Sequence, residues 1–250
     1  VRKIAKSLMA LCIFGVSLFG EGIYATFSIK AVQSATLSLA SSGVVESVFV
    51  EIGDNVKKGQ KLLELKAKDL QENVKIALAT LESTKAEHSF LEAQYQRYKH
   101  SQNVIDKNTF EKIQTQYQSS VFGLKKAKAH YQLQKELLDK TILYAPFNGV
   151  IVDKFVEVGD GVGAISSRLF VLESKQKKAI IEFDSQYFNQ VKVGDKFLYK
   201  IQNQEQKIPL VLTKIYPSID KDTKKAKAEA VFENIDLPSG IFGDGLIVRE

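Results

Sequence analysis

The chain has 250 residues, of which 44% are hydrophobic and 26% charged, a balance that excludes a wholly disordered protein. Its net charge of +6 is spread along the length, and the densest basic group, Lys221, Lys224, Lys225 and Lys227, is broken by Asp222, so no basic footprint for nucleic acid forms. Cys12 is the single cysteine, which excludes an internal disulfide and a multi-thiolate metal site.

The first 25 residues form a unit of their own. Arg2, Lys3 and Lys6 precede an uncharged apolar run over 7–20. That order, positive then apolar, is the pattern of an export signal. The run is short of the roughly 20 residues a membrane-spanning helix needs. Gly20, Gly22 and Ala25 are candidate cleavage positions, with Ala25 preferred, and retention as an N-terminal anchor is the alternative.

Next comes half of an internal repeat. Residues 43–54 read G-V-V-E-S-V-F-V-E-I-G-D, and residues 149–160 read G-V-I-V-D-K-F-V-E-V-G-D. One constant offset pairs Gly43 with Gly149, Phe49 with Phe155, Glu51 with Glu157, Gly53 with Gly159 and Asp54 with Asp160, and continues through Val56 with Val162 and Leu63 with Leu169. Each copy is rich in β-branched residues and reads as two short strands joined by a tight turn, with Gly53 and Gly159 supplying the positive φ. Gly59, Pro146 and Gly149 mark further turns. One copy is too small to bury a core. The two must therefore close on each other as a flattened β-sandwich, formed by 41–66 with 141–174.

Between the copies, residues 67–140 contain no proline and predict two helices. Leu70, Val74, Ala77, Leu81, Thr84, His88, Leu91, Tyr95 and Tyr98 follow at alternating steps of four and three, as do Phe110, Ile113, Tyr117, Ser120, Leu124, Ala127, Tyr131, Gln134 and Leu138. Such spacing is the seam of a coiled coil. The intervening S-Q-N-V-I-D-K-N (101–108) reads as a turn, with Asp106 or Asn108 capping the second helix and Asn108 with Glu111 resembling a capping box. The polar seam residues Thr84, His88, Ser120 and Gln134 either fix register or leave a hairpin of modest stability that gains from packing against neighbouring chains.

The segments 43–65, A-P-F-N-G-V-I (145–151), I-I-E-F-D-S-Q-Y-F-N-Q-V-K-V-G-D (180–195), I-Y-P-S-I-D-K-D-T (215–223) and N-I-D-L-P-S-G (234–240) together resemble the periplasmic adaptors, or membrane fusion proteins, of resistance–nodulation–division efflux pumps. The resemblance implies a mostly β fold with a long α-helical coiled-coil hairpin: a lipoyl-like sandwich split by the hairpin, and a small antiparallel β-barrel from 26–40 and 175–250. It implies an adaptor in the periplasm of a Gram-negative bacterium, associated with the inner membrane, assembled as a trimer or hexamer. Such an adaptor joins an inner-membrane, proton-driven transporter of the resistance–nodulation–division class to a TolC-type outer-membrane channel. The hairpin tip, with Arg97, Tyr98, Ser101, Val104, Ile105 and Asp106, would meet the channel. Two departures stand out. Ser101 sits where the family has an apolar residue and Asp106 where it has Ser, in a tip two residues shorter. The membrane-proximal domain of larger adaptors is also expected to be absent.

No catalytic constellation, metal site or cofactor site is expected. His88, His100 and His130 are scattered along the helices, and no glycine-rich phosphate loop occurs. Without Cys or Met beyond residue 25, soft-metal relay of copper or silver has no ligands, while zinc or nickel would have His and carboxylates only. A biotinyl or lipoyl carrier is the rival of another class, but the turn that would hold the modified lysine, near Lys66, leads into the hairpin. An adaptor of a type I or ABC-transporter secretion system is the rival within the class.

Overall fold

The computed structural model describes residues 22–101, 105–201, 204–205, 209–233 and 237–249. Strand β1 (Ile23–Ala31) opens the chain, followed by β2 (Ser34–Leu37), β3 (Gly43–Val48), β4 (Asn55–Val56) and β5 (Lys61–Leu65). Two helices follow, α1 (Lys68–His100) and α2 (Lys107–Asp139). After them come β6 (Ile142–Tyr144), β7 (Gly149–Lys154), β8 (Gly161–Val162) and β9 (Phe170–Glu173). The last part holds β10 (Lys177–Asp184), β11 (Lys196–Ile201), β12 (Gln204–Glu205), β13 (Leu210–Val211), β14 (Lys214–Ile219), β15 (Lys225–Val231) and β16 (Phe242–Val248). The chain divides into two compact units, one of residues up to 32 and from 176 onward, the other of residues 33–175.

The repeat closes into the second unit as two interleaved four-stranded sheets. Their orders are β2-β9-β7-β4 and β6-β5-β3-β8. Replacing each strand by its counterpart in the other copy (β2 by β6, β3 by β7, β4 by β8, β5 by β9) turns one order into the other. Neither copy can form a sheet alone, because each sheet takes two strands from each copy. The hydrogen bonds obey the same exchange: Gly53 N–H donates to the Ile151 carbonyl (2.8 Å) and Gly159 N–H to that of Val45 (3.0 Å). In return, Ile151 N–H donates to the Asp54 carbonyl (3.0 Å) and Val45 N–H to that of Asp160 (2.9 Å). One buried apolar cluster fills the space between the sheets, with Val45, Leu62, Leu63, Ile151, Phe170 and Leu172 at 0% exposure.

This symmetry corrects the sequence reading in three places. Each copy has four strands, not two. Ser34–Leu37, expected in the barrel, pairs with β9 and is the first strand of the front copy, the counterpart of β6. The repeat also slips by one residue after β8: Phe49 N–H meets the Leu62 carbonyl and Phe155 N–H that of Leu169, so Leu169 matches Leu62 and not Leu63. The extra residue sits in the loop 163–168.

The first unit is an antiparallel sheet in the order β12-β11-β16-β1-β10-β15-β14. It curls toward closure, since β13 pairs with β11 and Thr213 N–H reaches the Glu229 carbonyl in β15 at 2.8 Å. Alternation along β1 buries Ile23, Ala25, Phe27, Ile29 and Ala31, as a strand with one covered face requires. Ala226, Ala228 and Ala230 on β15 leave room for the rings of Phe27, Phe183, Phe197 and Tyr199 in the same core. Pro217, which cannot donate to a ladder, lies at a register shift in β14, the edge strand. Ala25 pairs with Phe183 on one side and Gly245 on the other and is 1% exposed. A chain cut after Ala25 would lose the first three residues of β1, so the boundary set there falls inside a strand. Gly20 and Gly22 both precede β1.

Candidate partner-binding site at the hairpin tip

Both helices have 33 residues, which at 1.5 Å per residue gives a rod of about 50 Å. Every seam position predicted on either helix is buried or half-buried, and the charged residues face outward. Only Ala77, Ile113 and Ala127 are fully buried, however. The middle and distal seam is held by stacked rings and one polar bridge. Tyr95 and Tyr117 lie parallel with centroids 4.9 Å apart, Tyr95 stacks on Phe110 at 6.1 Å, and His88 stacks on Tyr117 at 5.7 Å. His88 Nδ1 lies 2.9 Å from Ser120 Oγ, and that hydroxyl in turn donates to the Tyr117 carbonyl at 2.6 Å. With its proton used there, Ser120 accepts from Nδ1–H of His88. Of the polar seam residues, His88 and Ser120 therefore satisfy each other across the helices, which fixes one register, while Thr84 donates back to the Thr80 carbonyl of its own helix at 2.9 Å.

At the tip, Ser101 ends α1, donating its N–H to the Tyr98 carbonyl at 3.1 Å. Asp106 caps α2: its carboxylate accepts from Thr109 N–H at 3.0 Å and from Thr109 Oγ1 at 3.2 Å. An Asp does the capping work of a Ser here. Asn108 is not the cap; it is the second residue of the helix, so the Asn108–Glu111 capping box does not form. Arg97, Ser101 and Asp106 are exposed, while Tyr98 and Ile105 are half-buried. Val104 lies outside the described residues. Among the described residues the tip thus offers the Arg97 guanidinium and the Asp106 carboxylate beside two capped helix ends.

The predicted turn residues are all in the sandwich. Gly53 and Gly159 have φ of 93° and 97°, and Asp54 and Asp160 each accept, through a carboxylate oxygen, from the N–H of Glu51 and Glu157 at 2.8 Å. Gly149 is the point of closest approach: a Cβ there would stand 2.2 Å from the Glu173 carbonyl oxygen. Pro146 is exposed in the bend before β7. Gly59, at φ 81°, donates to the Ala145 carbonyl at 2.8 Å. Its counterpart in the second copy is Ile165, which holds φ 63° and donates to the Leu39 carbonyl at 2.8 Å. A β-branched residue in the left-handed region is strained, and no sequence pattern announced it.

Three further contacts escaped the sequence reading. Lys61 lies over the Phe49 ring at 5.2 Å, and Arg168 over the equivalent Phe155 ring at 4.7 Å. Lys154 breaks the symmetry, standing where the front copy has Val48. Its ammonium meets Glu51 at 2.8 Å and Glu157 at 3.0 Å, clamping the two equivalent turns together. Hydrogen bonds to Glu51 and then Glu157 raise its pKa above the usual lysine range. Glu51 and Glu157 were visible as a repeat pair; which lysine reached them depended on how the copies interleave.

Lys66 leads directly into α1, leaving no free hairpin turn of the kind a carrier displays. Among the described residues no group of three metal-ligating side chains converges, and no helix is long and apolar enough to cross a membrane.

A sandwich split by a helical hairpin, with a curled sheet built from the chain on either side of it, defines the architecture of the membrane fusion proteins. A family model described as CzcB-like, barrel-sandwich hybrid domain matches residues 33–174, and the chain belongs to that family of periplasmic adaptors. It is 25% identical over 226 residues to an uncharacterised protein of Haemophilus influenzae, a match covering 88% of this chain and 56% of that one. It is also 25% identical over 219 residues to the cobalt-zinc-cadmium resistance protein CzcB of Cupriavidus metallidurans, covering 83% of this chain and 40% of that one. The chain thus spans about half the length of the curated relatives it matches. Its fold is similar to that of a MacA–MexA chimera carrying the α-hairpin domain of Pseudomonas aeruginosa MexA, with a TM-score of 0.70 at 21% identity over 92% of this chain and 82% of the other.

Proposed function

We propose that this protein is a non-enzymatic periplasmic adaptor of a tripartite efflux pump, linking an inner-membrane, proton-driven transporter of the resistance–nodulation–division class to a TolC-type outer-membrane channel. Family membership supports the adaptor role. The single observation that carries the channel contact is the pair of capped, exposed helix ends, Ser101 and Asp106, at the end of two 33-residue helices. A rod of that length reaches a partner that the sandwich at its root does not; Arg97, Ser101 and Asp106 are exposed there, Tyr98 and Ile105 are half-buried, and Val104 joins the proposed contact on its place in the sequence alone. In this reading the curled sheet faces the transporter and three or six copies surround the path of the substrate. Inner-membrane association comes through the segment before β1 or through the transporter itself.

The test is a complementation assay in a strain lacking its own copy. Arg97→Glu and Ile105→Asp should each abolish drug or metal-ion resistance with protein level unchanged. Normal resistance in both variants removes the tip from the channel contact.

A further inference from the structure

Alternation in the curled sheet turns Ala25, Phe197, Tyr199 and Ile247 into its core and leaves the other face of β1, β11 and β16 outward. One end of that outward face is apolar. Leu198, Leu246 and Tyr24 stand opposite one another on the three neighbouring strands and are 46%, 43% and 62% exposed. The next row, two residues along each strand, is Val211, Lys196 and Val248. Val211 and Lys196 are exposed and Val248 is half-buried. In the other direction the row is polar, with Lys200, Asp244 and Thr26. Beyond it Phe242 stands exposed beside Ser28, cut off from the patch by that polar row. The continuous apolar patch thus lies at the end where β1 begins.

The chain enters β1 past this same patch: a Cβ on Gly22 would stand 3.0 Å from Cβ of Leu246. In the sequence only Glu21 and Gly22 separate β1 from the uncharged apolar run over 7–20. Two residues span at most about 7 Å. With that run in a bilayer, the end of the sheet that carries the patch is held at the bilayer surface. Composition selects lipid over protein as the occupant. Lysine is depleted from the buried centre of protein–protein interfaces, yet Lys196 lies between Val211 and Val248. A lysine whose stem covers apolar surface while its ammonium reaches polar headgroups, and a tyrosine with an apolar ring and a polar tip, suit the boundary between membrane and water. Lys192, exposed in the turn before β11, adds a second positive charge at the same end of the sheet.

We propose that the outward face formed by Tyr24, Leu198, Leu246 and Val211 rests on the surface of an anionic lipid bilayer, with Lys192 and Lys196 meeting the headgroup phosphates. Apolar burial at the acyl boundary and attraction to anionic lipid then act together, as they do in interfacial membrane binding. The run ahead of β1 and the patch are two points of attachment joined by two residues. The second attachment is intramolecular once the first is made, so a patch of modest affinity suffices. Two points also fix the orientation of the sheet against the membrane, which a single tether leaves free.

The inference rests on the inner-membrane association in the reading above. Its test uses the full-length chain and vesicles of phosphatidylcholine with about 30% phosphatidylglycerol. In a Cys12→Ser background a nitroxide is attached at Leu198→Cys or, beyond the polar row, at Phe242→Cys. On vesicles the label replacing Leu198 should lose most of its accessibility to a water-soluble nickel complex and gain accessibility to oxygen, while the label replacing Phe242 should change little. A chain that floats with the vesicles while the label replacing Leu198 stays in water keeps the membrane association, overturns the proposal and leaves this face to a protein partner. Equal shielding of the two labels overturns it as well, because the contact is then not the patch. A chain that does not float at all removes both the association and the patch. Unlabelled chains supply an independent reading. Lys196→Glu should lower partition onto these vesicles several-fold and leave partition onto pure phosphatidylcholine unchanged, and Leu198→Ser combined with Leu246→Ser should lower both. Partition equal to wild type in all variants contradicts the proposal. These side chains lie on the outward face, so the variants keep the fold, which equal urea midpoints check.

Discussion

The sandwich and the hairpin belong to the same unit yet are held by different forces. Between its two sheets the sandwich closes a continuous apolar core in which six large side chains have no solvent exposure. The hairpin fully buries two alanines and one isoleucine and relies for the rest on stacked rings and a Ser–His bridge. Burial of apolar area sets stability, whereas polar and aromatic contacts of defined geometry set register. The sandwich is thus the folded base, and the hairpin is a rod whose register is set by its stacked rings and its polar bridge.

The largest expected effect separates the two directly. Ile151→Ala in the sandwich core should cost about 2–5 kcal/mol, because its neighbours come from both sheets and cannot collapse into the space. Ile113→Ala near the distal end of the seam should cost about 1–2 kcal/mol in purified monomer, toward or below the low end of that range, because solvent and flexible side chains border it. Chemical denaturation of both variants measures the ratio, and equal losses would erase the distinction.

Intermediate effects concern the repeat itself. Gly53→Val and Gly159→Val should each destabilise by about 1–3 kcal/mol, and by similar amounts, since both turns hold φ near the same value. Ile165→Gly should move the other way, raising stability by up to about 1 kcal/mol, as relief of the left-handed strain exceeds the added chain entropy. Melting temperatures of the three variants check this, and a loss in Ile165→Gly would show that its side chain has a packing role.

The smallest effect is the pH dependence of the clamp. Folding raises the pKa of Lys154 through Glu51 and Glu157. A raised lysine adds stability that is complete below its unfolded pKa of about 10.5 and is lost as pH climbs through the folded value. Wild type should therefore lose stability between about pH 10 and 12 faster than Lys154→Met, measured by urea unfolding in that window. Parallel curves would show that the exposed carboxylates contribute little.

Much of this was legible from the amino acids. The three-four spacing named every seam position on both helices, because a coiled coil reads periodicity directly. The recurring Gly-Asp turns showed that residues near 50 and near 156 adopt one conformation, and Asp106 announced a helix cap by its type and place. The strand Ser34–Leu37 was missed because its likeness to Ile142–Tyr144 is confined to a few apolar residues, too few to mark a repeat. At the tip the turn and its cap were visible, but the failure of the Asn108 box became evident only once the helix start was placed.

The sequence alone determined the periodic and local features: helices, turns, caps and the existence of two matching halves, each encoded by neighbours within a few residues. Only the tertiary structure decided how those halves interleave, that β2 completes the front copy, that Lys154 clamps two distant turns, and that Ile165 is held at positive φ. Those outcomes are set by pairing across more than about ninety residues of chain, where the partner, and not the local sequence, selects the conformation.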